Sequence, residues 1–411
     1  MGSPPGIMPS HPVSPSVYHI FSQRQSNLMR LAITTMHKDF SKHSPVKVHV
    51  RLNNLKHNYA VLAKACATPV MPVLKADAYG HGLIPCARAM LEVGAPALAV
   101  GIVNEGIFLR EQGLTCPILS LFGPLDSEQA AQAVAGDIIS LAADMEQLNM
   151  LAAQASPDKP AKVALKFDTG MARLGFGQGD VPGLIAALRN MPAVRPVMVL
   201  SHFAVADEID GVDFTAGQIA TFKDITAAVK SQWPGVKASL ANSAGGLAFP
   251  EARLDIVRDG ISLYGSNPFQ GTDQEHLGQA LKPVMEISTS LVQVHPLRPG
   301  QSISYGRTFT AQRAMLAGIV ACGYANGYSR RLSNRAAMVV RGMRAPVLGR
   351  VCMQLTAVDL SHIPEARAGD MVWILGGPAS CAVRDWELAA WQESITHEVF
   401  CCMGDLNSQE Y

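Results

Sequence analysis

The chain has 411 residues, enough for two or three domains of about 150 residues or for one barrel-sized domain with a smaller one. Thirty-four Lys and Arg against 33 Asp and Glu leave a net charge of +1, which gives no general electrostatic reason to expect nucleic acid or an anionic membrane as a partner. Hydrophobic residues make up 48% and charged residues 16%; this excludes disorder over most of the chain, and the apolar runs at 95–103 and 315–322 are too short to span a bilayer.

Residues 1–45 are rich in Ser, Pro, His and Met and show no periodicity. Their one apolar patch, 28–36, is interrupted by Arg30 and lacks a small-residue cleavage site, so the segment reads as a disordered or tag-bearing leader rather than an export signal. From 46 to 283, β-branched runs alternate with helical patterns, the mark of a parallel sheet with crossover helices. The runs at 70–75, 97–103, 117–122, 138–141, 162–168, 196–202, 238–242 and 254–258 predict eight strands, the number that closes a (β/α)8 barrel. Between them, Leu83, Ala87, Met90 and Leu91 share a helix face that Gly94 ends, and Asp180 precedes Val181 and Pro182 as an N-cap with proline in the first turn.

From 284 to 411 the texture changes to short apolar runs separated by Pro299-Gly300, Arg341-Gly342, Ala368-Gly369 and Gly376-Gly377. This predicts a separate, mostly β domain closed by a helical segment at 385–404 with Asp385 as N-cap. The eight cysteines show neither CxxC nor metal-ligand spacing and read as reduced thiols of a cytoplasmic protein, with no metal site expected.

Functional groups of a parallel barrel sit at the C-terminal ends of its strands. The first run ends in Lys75 followed by ADAYGHG, the fifth in Lys166 and Asp168, the sixth in His202, the seventh in Asn242-Ser243 and the eighth in Arg258 and Gly260. A lysine in such a place is either a snorkelling surface cation or a desolvated amine able to form a Schiff base. Tyr79, the small residues around Ser243, and Gly260-Ile261 supply hydroxyl and backbone donors where barrels commonly hold a phosphate. Lysine and phosphate nest together suggest pyridoxal 5′-phosphate, with Arg258 available to its ring nitrogen.

The motifs VLKADAYGHG at 73–82, KFDTGMARLG at 166–175, SHFAVADE at 201–208, LANSAG at 240–245 and VRDGISLYG at 257–265 resemble those of the alanine racemase family. So do ISYGRTF at 303–309, GYANGYSR at 323–330 and LGRVCM at 348–353. The resemblance implies a barrel carrying pyridoxal phosphate, a second β domain, and a head-to-tail homodimer with shared active sites. The implied activity is interconversion of L- and D-alanine, supplying D-alanine for peptidoglycan or catabolism. It further implies that Lys75 holds the cofactor and serves as base on the D-alanine side, while Tyr305, from the partner subunit, serves on the L-alanine side. A tyrosine titrating at about 10 needs positive neighbours to act as a base at neutral pH, a role that falls by analogy to His202 and Arg258. Arg173 is implied at the cofactor phenolate and the substrate, Met353 at the substrate carboxylate, and Lys166 as a carbamylated residue orienting the arginine. Tyr79, Ser243, Gly260 and Ile261 are implied at the phosphate.

Four positions depart from the family pattern: Asn326 and Gln354 where aspartate is usual, His397 in place of an entrance tyrosine that contacts the phosphate, and Ser239 in place of a histidine that buttresses the arginine in some members. These changes leave open a broader-specificity amino-acid racemase. A non-catalytic barrel that only holds the cofactor is the reading from a different class; the second domain with Tyr305 and Met353 argues against it, because a carrier needs no second base.

Overall fold

A computed structural model describes residues 44–411; the leader expected at residues 1–45 lies outside the described residues, apart from its last two positions. The first strand, β1 (Lys47–Val50), alternates in burial. The helix after it, α1 (Leu52–Cys66), buries Leu55, Tyr59, Leu62 and Cys66, the spacing that sets one helix face on a core.

Eight short strands follow: β2 (Val70–Pro72), β3 (Leu98–Val100), β4 (Ile118–Ser120), β5 (Ile139–Ala142), β6 (Ala161–Lys166), β7 (Val194–Leu200), β8 (Lys237–Ser239) and β9 (Val257–Asp259). Helices α2 (Leu83–Glu92), α3 (Val103–Glu111), α4 (Ser127–Ala135), α5 (Met145–Gln154), α6 (Val181–Arg189), α7 (Val212–Gln232) and α8 (Ser243–Ala248) alternate with them. Strands β3 to β8 pair in sequence order, all parallel, and β2 pairs with β9. Two seams complete the ring. Leu74 N–H donates to Ala99 O at 2.7 Å beside the Val73–Ala99 bridge, and Arg258 N–H donates to Ala241 O at 3.0 Å. The eight-stranded barrel is therefore present, with six of its strands shorter than the apolar runs and β5 and β7 of equal length but shifted by one and two residues. The last of the eight is displaced from 254–258 because Leu254 sits in the left-handed region at φ +47°, outside the range of a strand. Asp180 does precede α6, but its carboxylate accepts from Gly177 N–H at 2.7 Å instead of capping that helix.

The second unit of structure is built on β10 (Met285–Leu297). It continues with β11 (Ser302–Ile303), β12 (Phe309–Thr310), β13 (Met315–Val320), β14 (Ala337–Val340), β15 (Met343–Leu348), β16 (Thr356–Asp359) and β17 (Met371–Leu375). The order β13-β16-β15-β14-β17-β10 returns to β13 through a second pairing of β10, which bends at a register shift between Leu291 and Gln293; a bulge is how a long strand serves two neighbours at different angles. Over its first four residues, the edge of β10 away from β17 takes β1, antiparallel with Val48 opposite Ile287, and β18 (Ser408–Glu410) lies parallel to β1. Residues 47–50, which sequence order counts with the barrel, thus belong to the second sheet. An alternating tetrapeptide carries no mark of which sheet has an edge for it.

The helical segment expected at 385–404 is two helices, α9 (Asp385–Trp391) and α10 (Thr396–Asp405), parted where Glu393 takes φ +57°. Arg384, not Asp385, occupies the N-cap, and its N–H donates to Glu387 at 2.9 Å. Among the described residues, no helix is long and apolar enough to cross a membrane.

Helix α10 lies against the segment that follows β2. A Cβ placed on Gly404 would stand 2.1 Å from Gly80 O, whereas one on Gly217, exposed in the middle of α7, would meet nothing within 4 Å. Gly404→Ala is therefore expected to destabilise the protein by about 1–3 kcal/mol through overpacking, and Gly217→Ala to stabilise it by about 0.5–1 kcal/mol through helix propensity. Urea unfolding of the two variants checks the opposite signs.

Candidate active site

Directly after β2 the backbone enters an unusual conformation. Ala76, Asp77, Ala78 and Tyr79 have φ between +51° and +56°, and Gly80 and Gly82 follow at +74° and +89°. A run of left-handed L-residues costs about 1–2 kcal/mol for each, so it persists only where surrounding contacts impose it. His81 lies inside this turn, fully buried; its Nδ1 faces Ala78 O at 3.0 Å and Tyr79 O at 2.9 Å and must carry the proton. The Asp77 carboxylate accepts from Leu83 N–H at 2.7 Å, and Glu105 of α3 accepts from Ala76 N–H at 2.7 Å. Gln409 of β18 donates to Gly80 O at 2.8 Å. Burial lowers the His81 pKa to about 4, and the ring stacks on Tyr264 at 4.4 Å.

The turn sets Lys75 and Tyr79 in a cavity of about 610 Å³ at the mouth of the barrel. Lys166, Arg173, His202, Asn242, Ser243, Arg258, Gly260, Ile261 and His397 share its lining. Every candidate residue that the sequence places in the barrel is thus brought to one cavity, together with His397 from the start of α10. Tyr305 and Met353 are not among the lining residues; they are 70% and 58% exposed. Tyr305 stands in a short turn after β11, between Ser304 at φ +68° and Gly306 at φ +71°.

Charge dominates this cavity. Burial, then Arg173, lowers the pKa of Lys75; burial, then Arg258, brings that of Lys166 down to about 7. Lys166 donates to Phe167 O at 2.7 Å, while Oδ1 of Asp168, its alternative partner, accepts from Gly170 and Ala172 N–H groups instead. His202 is held well below its ordinary range by burial and then by Arg258. It is neutral at physiological pH, so the positive neighbour assigned to it by analogy is absent, and its Nδ1 lies 3.2 Å from an Arg258 nitrogen as an acceptor.

Arg258 is buried and remains protonated, with its pKa lowered to about 10. Its guanidinium donates to Ser239 Oγ at 2.6 Å, Ser239 O at 2.9 Å and Ser201 O at 2.5 Å. Ser239, which by resemblance left this arginine less clearly buttressed, is its nearest side-chain support. Asn326, another of the departures, lies away from the cavity lining. It is buried, and its side chain joins Gly323 and Asn407. Sequence reasoning also passed over Glu105, His81 and Asp259; the histidine and the acid within ADAYGHG and VRDGIS were visible as residues, but nothing in their spacing shows what they touch.

Two domain families described as "Alanine racemase, N-terminal domain" and "Alanine racemase, C-terminal domain" match residues 50–268 and 284–411. The chain belongs to the alanine racemase family. It is 48% identical to the alanine racemase of Nitratidesulfovibrio vulgaris strain Miyazaki F over 362 residues, covering 88% of this chain and 97% of that one. It is 39% identical to that of Lawsonia intracellularis over 366 residues, 88% and 96% of the two chains. Among solved structures, alanine racemase from a D-cycloserine-producing Streptomyces lavendulae superposes with a TM-score of 0.83 at 31% identity, covering 90% and 97%. The biosynthetic enzyme of Pseudomonas aeruginosa superposes with 0.80 at 34%, covering 90% and 99%.

The cavity residues of this racemase fold fit pyridoxal 5′-phosphate. A Cβ at Gly260 would come within 2.5 Å of Tyr79 Oη, so a bare backbone and a hydroxyl share a space that only glycine leaves open. The lysine amine and an arginine with no carboxylate ion pair among the described residues line the same cavity.

The His81 pKa lies below that of an unfolded chain, so the stability it contributes is complete above pH 6.5 and is lost as the pH falls towards 4, by at most about 1.4 kcal/mol per pH unit. His81→Gln is expected to lessen the slope of stability against pH in that window. Urea unfolding at pH 7, 6 and 5 checks this, and equal slopes in the two proteins contradict it.

Proposed function

We propose that this cavity is the cofactor and substrate site, with Lys75 as covalent anchor and as one of two opposed bases. The activity is the interconversion of L-alanine and D-alanine, and the cofactor is pyridoxal 5′-phosphate. When bound, it supplies an electron sink that acidifies the α-proton of the amino acid. One observation carries the reading: a half-buried lysine of lowered pKa, a glycine-and-hydroxyl cradle and a buried protonated arginine line a single cavity.

The rest is done by the chain's own side chains. Tyr79, Ser243, Gly260 and Ile261 hold the phosphate, with His397 beside Tyr79, ring to ring at 5.7 Å. Arg258, locked by Ser239 and Ser201, donates to the ring nitrogen; because it already holds its proton tightly, it does not protonate that nitrogen as a carboxylic acid would. Arg173 binds the phenolate oxygen of the cofactor and the substrate. Lys166, titrating at about 7, is partly a neutral amine at physiological pH, the form that takes up carbon dioxide as a carbamate, and so acquires the negative charge that orients Arg173.

Racemisation needs a proton donor and acceptor on each face of the substrate α-carbon, and one side chain does not reach both. Lys75 serves one face and Tyr305 the other. Tyr305 and Met353 lie in exposed turns of the second domain outside the cavity their own chain lines, as do the exposed apolar Tyr324 and Leu355. We infer a head-to-tail homodimer in which each chain's Tyr305 and the Met353 N–H complete the other's site, Arg258 supplying the positive charge that a phenolate base requires. Eight cysteines, all free thiols, support a reducing compartment, the cytoplasm.

Lys75→Ala is expected to abolish both the lysine-linked cofactor absorbance and racemisation. Tyr305→Phe is expected to keep the absorbance and lose about 10²–10⁴-fold in rate, measured as D-alanine formed from L-alanine. The two variants together test the dimer. Each is inactive alone, but in a mixed dimer one of the two sites carries neither substitution, so random exchange at equal amounts restores about a quarter of wild-type activity. No recovery despite proven exchange of subunits would remove the assignment of Tyr305 to the partner's site.

A further inference from the structure

Asp259 is the last residue of β9 and has no exposed surface. Successive strand residues face opposite sides: Arg258 lines the cavity, whereas Asp259 packs against Ser243 and the turn at Ile261–Tyr264. Its Oδ1 accepts from Ser243 Oγ at 2.9 Å and from Leu263 N–H at 3.1 Å. Its Oδ2 is buried and has no hydrogen-bond partner. The Ser243 hydroxyl accepts in turn from the N–H groups of Gly260 at 3.1 Å and Ser262 at 3.3 Å, so a single oxygen joins Asp259 to the backbone of the cradle.

The groups around this carboxyl offer it no compensating charge. Tyr79 from the left-handed turn and Cys66 from α1 both feel Asp259, and both are kept protonated, first by burial. Arg253 lies near Cys66 and donates to the backbone of Gly246, and Arg258 points to the other face of the strand. No ion pair among the described residues includes Asp259. Burial pushes its carboxyl up to about 7, the direction expected when nothing offsets the loss of solvation.

We propose that Asp259 is a positioning residue for the cofactor phosphate, holding Ser243 and the Gly260–Ser262 backbone in place, and that it does so as a neutral acid, so that phosphate binding takes up a proton at Oδ2. The proposal rests on the reading of Tyr79, Ser243 and Gly260 as the phosphate cradle. A phosphate dianion there and an ionised Asp259 are like charges on either side of one hydroxyl in a medium that screens poorly. Proton uptake removes that repulsion while leaving Oδ1 to accept from Ser243 and Leu263. An uncharged isostere serves equally well, because an asparagine oxygen accepts at the same place.

The test uses the full chain freed of cofactor and titrated with 4′-deoxypyridoxine 5′-phosphate, which lacks the aldehyde and so does not react with Lys75. Its affinity is read by ligand fluorescence from pH 7 to 9, above the second phosphate ionisation at about 6. Lys166, brought down to about 7, loses its proton in or near this range, and Lys75 is lowered by burial and Arg173, equally in wild type and in Asp259→Asn. Wild-type affinity is expected to fall more steeply than that of Asp259→Asn, the difference approaching tenfold per pH unit, the slope of one linked proton. Calorimetry of the wild type and of Asp259→Asn at pH 8 in two buffers of different ionisation enthalpy counts the protons taken up and subtracts the share of Lys166; about one proton more is expected in the wild type. Equal slopes, equal uptake, or no uptake by the wild type overturn the role of Asp259 alone. Failure of the wild type to bind the probe at any pH overturns the cradle reading as well.

Discussion

Four consecutive left-handed residues, Ala76 to Tyr79, are a conformation the backbone does not keep unaided, and Lys75, the proposed anchor of the cofactor, sits at its start. Apart from His81, the groups that impose it come from other parts of the chain. Glu105 reaches from α3, His81 closes on the turn's own carbonyls, Gln409 comes from β18, and Gly404 of α10 lets two backbones meet. The C-terminal strand and helix thereby hold the element that presents Lys75. Packing of this kind gives the amine a fixed approach to the cavity, which proton transfer between opposed faces demands.

The second constraint is electrostatic. Lys75, Lys166, Arg173 and Arg258 line one cavity, and none of them takes part in an ion pair among the described residues. The chain responds where it can. Both lysines have lowered pKa values and His202 stays neutral, while Arg258, which gives up its proton least readily, is instead surrounded by serine and backbone oxygens. Such an excess of positive potential suits a phosphorylated cofactor and an amino-acid carboxylate. The same excess explains how a serine at position 239 suffices beside the arginine: the short hydroxyl and its own carbonyl give two acceptors without adding another titratable group.

Much of this was legible beforehand. Eight apolar runs and their polar ends predicted the barrel and its mouth, because a strand's apolar pattern and the first polar residue beyond it are local properties. The membership of Lys47–Val50 in the second sheet was not legible, nor was the break between α9 and α10, since both depend on which distant edge or surface needs covering. Asn326 and Ser239 were recognised as departures from a pattern, but their partners were not legible: one bonds to Asn407 and the other supports Arg258. Substitution type says what charge is lost, not which partner stands opposite.

The sequence by itself determined the chemistry available: a lysine, hydroxyls, glycines and arginines at the ends of barrel strands, and a tyrosine and a methionine in the turns of a second domain. Only the tertiary structure decided which groups are charged and which share a cavity. It showed His202 neutral, Asp259 buried without a cation, and Tyr305 outside the cavity of its own chain. The reason is that desolvation and proximity, which set a proton's affinity and a side chain's reach, arise from residues far apart in the chain and come into being only when it closes on itself.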